Sequence, residues 1–346
     1  MRTIDWISAG PDSAGRIRLI DQTRLPASTA VLDIDTVGEL IAAIRRLSIR
    51  GAPALGVAGG MGVALAAQRM NRQQTRAAAA DIRAARPTAV NLAVGVDRAL
   101  AAFDLGGPSG ALQAALDIRD EEIDAGLAMA SRGADLVREL AADGGGRKDR
   151  LTVMTICNTG ALAAVEHGTA LGVVERLHQD GNLRLAIALE TRPLLQGARL
   201  TAWELDRMGA DYELIVDSAA ASVLAGGDVD AVLVGADRIA ANGDTANKIG
   251  TLALAVAARY FGIPFLVVAP ETTVDVSTAS GSDIEIEDRG PGEVCSFAGV
   301  RTAPPGAQVK NPAFDVTPAE LITAVVTDRR VIMQPQNMRT AAPIGA

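Results

Sequence analysis

Near the start of the chain apolar and polar positions alternate in short pieces, Arg16-Ile17-Arg18-Leu19-Ile20-Asp21 and Val31-Leu32-Asp33-Ile34. A two-residue period turns one face to a core and the other to water, which predicts a small antiparallel sheet. The period then lengthens. Thr36 is placed to cap a helix through Leu47, Glu39 completes a capping box, and Leu40, Ile41, Ile44 and Leu47 share a face. Ile49-Arg50-Gly51-Ala52-Pro53-Ala54-Leu55-Gly56 reads as a tight turn opening a helix of small residues. Its Gly59, Gly60 and Gly62 allow close packing at some cost in propensity. Further helical patterns cover Thr75 to Ala85, Asn91 to Phe103 and Leu112 to Leu140. They are interrupted at Arg86-Pro87-Thr88 and Gly106-Gly107-Pro108. The polar, glycine-rich Asp143-Gly144-Gly145-Gly146-Arg147-Lys148 reads as a linker.

Beyond it the rhythm changes. Apolar strands are expected at Leu151–Ile156, Leu183–Leu189, Tyr212–Val216, Ala231–Val234 and Pro264–Val268. Helices are expected between them at Gly160–Arg176, Leu194–Met208, Ser218–Leu224 and Lys248–Phe261. Pro318 to Val331 reads as a last helix leading into a short strand. Strand–helix alternation predicts a parallel, doubly wound sheet. The fold class is therefore α/β. Residues 1–142 form a sheet-plus-helices domain and residues 143–346 a parallel-sheet domain.

Composition narrows the function. Of 346 residues 49% are hydrophobic but only 3% aromatic, which suits close-packed α/β layers. A net charge of −8 provides no basic field for nucleic acid. The two cysteines, Cys157 and Cys295, offer neither a disulfide framework nor a C-x-x-C pair, so a reducing cytoplasm is the economical location. Met1-Arg2-Thr3-Ile4-Asp5-Trp6 lacks the apolar core of a signal peptide. Gly51 to Gln68 is uncharged and nearly long enough to span a bilayer, but its glycines and Pro53 make it a poor membrane segment.

Four polar clusters fall at strand ends or turns: Cys157-Asn158-Thr159-Gly160, Glu190-Thr191-Arg192-Pro193, Gly235-Ala236-Asp237-Arg238 and Asn247-Lys248-Ile249-Gly250. Strand ends on one edge of a parallel sheet converge on one crevice. A strand-to-helix junction gives Cys157 a helix dipole that favours thiolate or binds an anion. Lys248 at a helix start is unfavourable unless an anion lies between them. Each residue also has a plain structural reading: Cys157 as a packed small hydrophobe, Asp237 as a cap, Arg50 and Arg86 as ion-pair partners. Other chemistries fit poorly. Gly56-Val57-Ala58-Gly59-Gly60-Met61-Gly62 does not match G-x-G-x-x-G, and no P-loop motif exists. His167 lies ten residues from Cys157, about 15 Å along a helix, too far for a Cys–His pair. Two histidines with scattered carboxylates make no convincing metal set.

With these residues in view, the chain resembles the methylthioribose-1-phosphate isomerase family. That family is related to ribose-1,5-bisphosphate isomerases and to regulatory subunits of the initiation-factor nucleotide-exchange factor. The resemblance runs from about Asp33 to Ile332 in ordered blocks. They are Ile49–Ala54, Arg86–Leu92, Cys157–Ala163, Glu190–Pro193, Gln196–Thr201, Val234–Ile239, Asn247–Thr251 and Asn311–Pro318. It implies a Rossmann-like C-terminal domain, a homodimer, and an aldose–ketose isomerase that needs no metal or nucleotide cofactor. It also implies Cys157 as the active thiol and Asp237 as proton donor. Arg50, Gly51, Ala52, Arg86, Gln196, Asn247 and Lys248 would then bind a sugar phosphate. A phosphate ester at C1 removes the free hemiacetal, so an acid must protonate the ring oxygen. Asp237, desolvated among Val232, Val234 and Ala236, suits that role. Cys157 takes the C2 proton or shapes a low-dielectric site for hydride transfer. Departures from the family at Ile156, at Ala93-Val94-Gly95 and at Leu194 bear on the 5-substituent. The alternatives are 5-deoxyribose 1-phosphate or ribose 1,5-bisphosphate as substrate, or a noncatalytic regulatory subunit.

Overall fold

Three short strands, β1 (Ile4–Ile7), β2 (Arg16–Ile20) and β3 (Val31–Ile34), pair antiparallel in chain order, as their alternation requires. The structure, a computed structural model, describes residues 2–8, 14–86, 89–143 and 149–334. Helix α1 (Val37–Arg45) begins with the expected capping box: the Glu39 N–H donates to Thr36 Oγ1 (3.2 Å), and the Thr36 N–H donates to Glu39 Oε2 (2.9 Å). It ends before Leu47, which turns left-handed (φ 64°). Helix α2 (Ala52–Ala67) is buried on every side from Pro53 onward, and among the described residues no helix is long and apolar enough to cross a membrane. Helix α3 (Arg72–Arg83) follows, and α4 (Val90–Asp143) joins the two helices expected on either side of Gly106-Gly107-Pro108, with a kink at Gly107 (φ 61°, ψ −153°). α2 and α4 cross almost backbone to backbone: a Cβ on Gly95 would lie 2.0 Å from the Gly56 carbonyl oxygen. The far half of α4, with Met129, Ala134, Leu136 and Val137, packs into the core of the parallel sheet. Pro87, Thr88 and residues 144–148 of the expected linker lie outside the described residues.

The second half runs β4 (Leu151–Thr155), α5 (Ala170–Gln179), β5 (Leu183–Leu189), α6 (Ala202–Met208), β6 (Tyr212–Ile215), α7 (Ala220–Ala225) and β7 (Ala231–Val234). Next come β8 (Arg238–Ala240), β9 (Thr245–Lys248), α8 (Thr251–Tyr260), β10 (Phe265–Val268) and β11 (Val274–Asp275). After them are α9 (Gly292–Cys295), β12 (Ser296–Phe297), β13 (Val300–Arg301), β14 (Phe314–Thr317), β15 (Ala324–Val326) and β16 (Val331–Met333). Seven strands form one sheet in the order β16-β15-β10-β7-β4-β5-β6, parallel except for β16. The chain moves outward from β4 through β5 to β6, returns beside β4 as β7, and continues the other way. The strand order therefore reverses between β4 and β7, the place where open α/β sheets bind ligands.

Four expectations are corrected here. The helix expected from Gly160 begins only at Ala170. The intervening carbonyls are taken by distant donors: Thr3 Oγ1 on Ala161 (2.7 Å), Gln22 Nε2 on Leu162 (2.6 Å), the Ala54 N–H on Ala163 (3.2 Å) and the Thr3 N–H on Val165 (2.7 Å). The helix expected over Leu194–Met208 is a π-turn at Gly197–Thr201 leading into α6. Lys248 starts no helix. It ends β9, which pairs with β8 through a turn at Asn242-Gly243 and with β14 on its other side. Finally, Pro318–Val331 holds no α-helix, only one 3-10 turn at Ala319–Leu321 before β15. The β-branched run around Val325 extends the sheet beside β10.

Candidate active site

Where the strand order reverses, Thr155 of β4 lies opposite Leu233 of β7, so the loops after the two strands emerge together. They open on a cavity lined by all nine residues singled out from the sequence: Arg50, Gly51, Ala52, Arg86, Cys157, Gln196, Asp237, Asn247 and Lys248. The N-terminal half supplies Arg50 to Ala52 at the start of α2, and Arg86 after α3. Cys157 and Asp237 follow β4 and β7, Gln196 precedes the π-turn, and Asn247 and Lys248 end β9. Leu47, Leu194, Arg289 and Phe314 complete much of the wall.

Cys157 has a left-handed backbone (φ 65°), which a non-glycine residue keeps only when its surroundings hold it. Both of its peptide groups are clamped. Its N–H donates to Thr191 Oγ1 (2.8 Å), and its carbonyl accepts from Thr201 Oγ1 (2.6 Å). The thiol lies against a guanidinium, with Arg50 Nη1 3.9 Å from Sγ. Because α5 starts so late, the positive neighbours of Cys157 are this side chain and Lys248, not a helix N-terminus. Arg50 is itself held by the Asn158 carbonyl (2.6 Å) and Asn158 Oδ1 (3.2 Å).

Charge in the cavity is lopsided. Four cations line it, Arg50, Arg86, Lys248 and Arg289, against one carboxyl, Asp237. Arg289 is tied to Glu293 (2.6 Å), and Arg86 lies 3.7 Å from Glu287. Among the described residues Arg50 and Lys248 have no carboxylate partner within salt-bridge distance. Lys248 Nζ donates to the Ala313 carbonyl (2.5 Å) over the Phe314 ring. Burial pulls its ammonium below the ordinary lysine value, while Cys157 and Asp237 act in the opposite direction. Asp237 keeps some exposed area because it faces the cavity, yet protein surrounds its carboxyl. Burial raises its pKa above the ordinary value, opposed by Lys248, Arg86 and Arg50. Gln196 Oε1 is buried without a hydrogen-bond partner among the described residues, so an acceptor stands ready at the wall. The N-terminus of α8 is already occupied: Asp315 accepts from the Gly250 (2.7 Å) and Leu252 (3.1 Å) N–H groups. The anion at this helix start is thus a side chain of the chain itself.

A profile of the initiation factor 2 subunit family matches residues 48–334. The methylthioribose-1-phosphate isomerase of Anaeromyxobacter sp. (strain K) is 49% identical over 326 residues, covering 94% of this chain and 93% of the relative. This chain belongs to that family. Within it, the methylthioribose-1-phosphate isomerase of Pelotomaculum thermopropionicum is 46% identical over 341 residues, 94% of this chain and 91% of the relative. The crystal structure of 5-methylthioribose 1-phosphate isomerase from Pyrococcus horikoshii OT3 matches with a TM-score of 0.85 at 40% identity, covering 97% of this chain and 93% of that one. The translation initiation factor eIF-2B subunit delta from A. fulgidus matches with 0.83, also at 40% identity, over 97% and 96% of the two chains.

Of the positions where the sequence departs from the methylthioribose-1-phosphate isomerase pattern, Leu194 lines the cavity. Ile156 does not. It is buried in the core under the sheet, 3.0 Å from where a Cβ on Gly250 would lie. Ala93, Val94 and Gly95 lie on α4, away from the cavity wall. Three groups at or behind the cavity wall were not singled out from the sequence. Arg289 ends an acidic run (Asp283, Glu285, Glu287, Asp288), Thr201 closes the Gln196–Thr201 block but sits inside an expected helix, and Glu204 has the spacing of an ordinary surface residue yet is 8% exposed.

Proposed function

We propose that this chain converts 5-methylthioribose 1-phosphate to 5-methylthioribulose 1-phosphate in methionine salvage, as the names of its relatives suggest. The observation that carries the reading is a thiol and a carboxyl whose pKa burial raises, facing one cavity with a surplus of positive charge. The phosphate is proposed to face Arg50 and Lys248, the cations without carboxylate partners, with Gln196 Oε1 accepting a sugar hydroxyl. Asp237 gives its proton to the ring oxygen as the ring opens. The C2 hydrogen moves to C1, and the C2 hydroxyl gives its proton back to the Asp237 carboxylate as it becomes the ketone, which restores the acid. Cys157 either carries that hydrogen as a proton or walls off a hydride shift. Leu194 supports an apolar 5-substituent. The same reading gives a cytoplasmic enzyme acting as a homodimer, with exposed Val256, Tyr260 and Phe261 as a surface for the second copy. A purely regulatory subunit has no use for the Cys157–Asp237 pair.

The test is ketose formation from 5-methylthioribose 1-phosphate, 5-deoxyribose 1-phosphate and ribose 1,5-bisphosphate. The methylthio compound is expected to be turned over with the highest kcat/KM, and Cys157→Ser to lower it at least 100-fold, a typical loss for a group that handles the reacting proton. Absence of turnover on all three sinks the enzyme reading, and preference for another sugar overturns the pathway. Turnover in heavy water tests the routes: deuterium at C1 marks proton transfer and excludes a hydride shift.

A further inference from the structure

A carboxylate behind the cavity wall is unused by the chemistry above. Glu204, in the first turn of α6, is buried against the loop that follows Cys157. Its oxygens face donors: Asn158 Nδ2 on Oε1 (2.6 Å), the Leu162 N–H on Oε2 (3.4 Å), and the Ala161 N–H. Among the described residues it has no salt-bridge partner, and Arg50 is the cation whose charge it feels. The loop is shaped to admit it. A Cβ on Gly160 would lie 2.4 Å from both carboxylate oxygens, so only glycine lets the carboxylate lie flat there. Burying a carboxylate is costly, and an apolar side chain would pack the same space without that cost.

Asn158 links this carboxylate to the cavity. Its amide nitrogen donates to Glu204 and to Thr201 Oγ1 (3.3 Å), which leaves Oδ1 turned toward Arg50 Nη2 (3.2 Å). Flipping the amide would set Oδ1 against the carboxylate and the amino group against the guanidinium, two repulsive contacts at once. Arg50 in turn reaches Cys157 with its other nitrogen, Nη1, at 3.9 Å from Sγ. We propose that Glu204 is a positioning residue of this site: it fixes the orientation of Asn158, and through Asn158 it holds the Arg50 guanidinium against the Cys157 thiol. The proposal deepens the reading of the cavity as the isomerase site, and its test needs no substrate.

The experiment is alkylation of the whole protein with iodoacetamide, scored at Cys157 by peptide mass spectrometry, with the buried Cys295 as internal control. Glu204→Gln keeps the shape but offers one carbonyl oxygen and a new donor to neighbours that are all donors. It is expected to slow alkylation of Cys157 about tenfold, the effect of losing one charge-assisted contact. Asn158→Ala removes the link while leaving Glu204, and is expected to slow it equally, which keeps the test open should Glu204→Gln fold poorly. In an Arg50→Gln background, Glu204→Gln is expected to add nothing. An unchanged or faster rate in Glu204→Gln overturns the proposal. So does an equal slowing with Arg50 already gone. Because no sugar phosphate is present, failure of the isomerase reading leaves this outcome intact.

Discussion

Asp237→Asn is expected to lower kcat by about 1,000-fold while the fold survives, within the range for loss of a general acid. The amide keeps the size of the side chain and cannot protonate the ring oxygen. The wild-type acid works only in its protonated form, which burial favours. kcat/KM of the wild type therefore falls as pH rises through the raised Asp237 pKa, and this limb is absent in Asp237→Asn. Stability has the same sign. Between the ordinary carboxylate value of 3.8 and the raised one, the folded protein keeps a proton that the unfolded chain has lost. The contribution is complete at acid pH and is lost as pH rises through that window. Glu204, pushed from 4.5 to about 7 mainly by burial, acts likewise and contributes on the order of 3 kcal/mol. Urea unfolding between pH 4 and 8 is expected to give a shallower decline in Asp237→Asn than in wild type. A variant with kcat within tenfold of wild type, or with the wild-type pH slope, rules out Asp237 as the buried acid.

The second large effect is expected at Gly51. This residue caps α2 with φ 96°, and a Cβ there would lie 2.2 Å from the Ala163 carbonyl oxygen and 2.6 Å from its Cα. Neither obstacle is a side chain that can swing away, and the conformation itself is strained for any residue with a Cβ. The Ala163 carbonyl also accepts the Ala54 N–H, so the clash pushes apart the contact that ties α2 to the Cys157 loop. Gly51→Ala is expected to cost about 3 kcal/mol or more, from backbone strain and overpacking together. With Arg50 and Ala52 displaced on either side, kcat/KM is expected to fall about 100-fold, the scale for a wall shifted by an ångström. Gly38→Ala is the control. Nothing lies within 4 Å of its Cβ and it sits in regular helix, so it is expected to be neutral or to stabilise by about 0.5 kcal/mol. A Gly51→Ala protein matching that control in urea and in the assay excludes the clash.

Cys157, Asp237, Asn247, Lys248, Arg50 and Arg86 stood out because each stands beside a turn or strand end, where polar groups interrupt apolar runs, whereas Gly51, Ala52 and Gln196 were marked only by the resemblance to the isomerase family. The strands of the sheet were legible for a similar reason: runs such as Leu183–Leu189 are too apolar and too short for anything but a buried strand. The helix expected from Gly160 failed for a reason that no local pattern contains. Its Ala-Leu-Ala-Ala composition is helical, yet four of its carbonyls bond to Thr3, Gln22 and Ala54, residues more than 100 positions away. Lys248 misled in the same way, since the helical run after it hid the hairpin partner before it and the strand at Phe314. Glu204 was invisible because a carboxylate on a helix reads as solvated until its surroundings are known.

Local chemistry was thus enough for the α/β class, the antiparallel start, the cap at Thr36, the turn before α2 and most of the residues to watch, the rest coming from the family resemblance. It set no distances among them. The side-by-side placement of β4 and β7 is what brings Cys157 to Asp237, and the N-terminal residues bound to the 160–165 loop bring Arg50 to the thiol. Those arrangements rest on hydrogen bonds and close backbone contacts between segments far apart in the chain, and such pairings form only when the whole chain has folded.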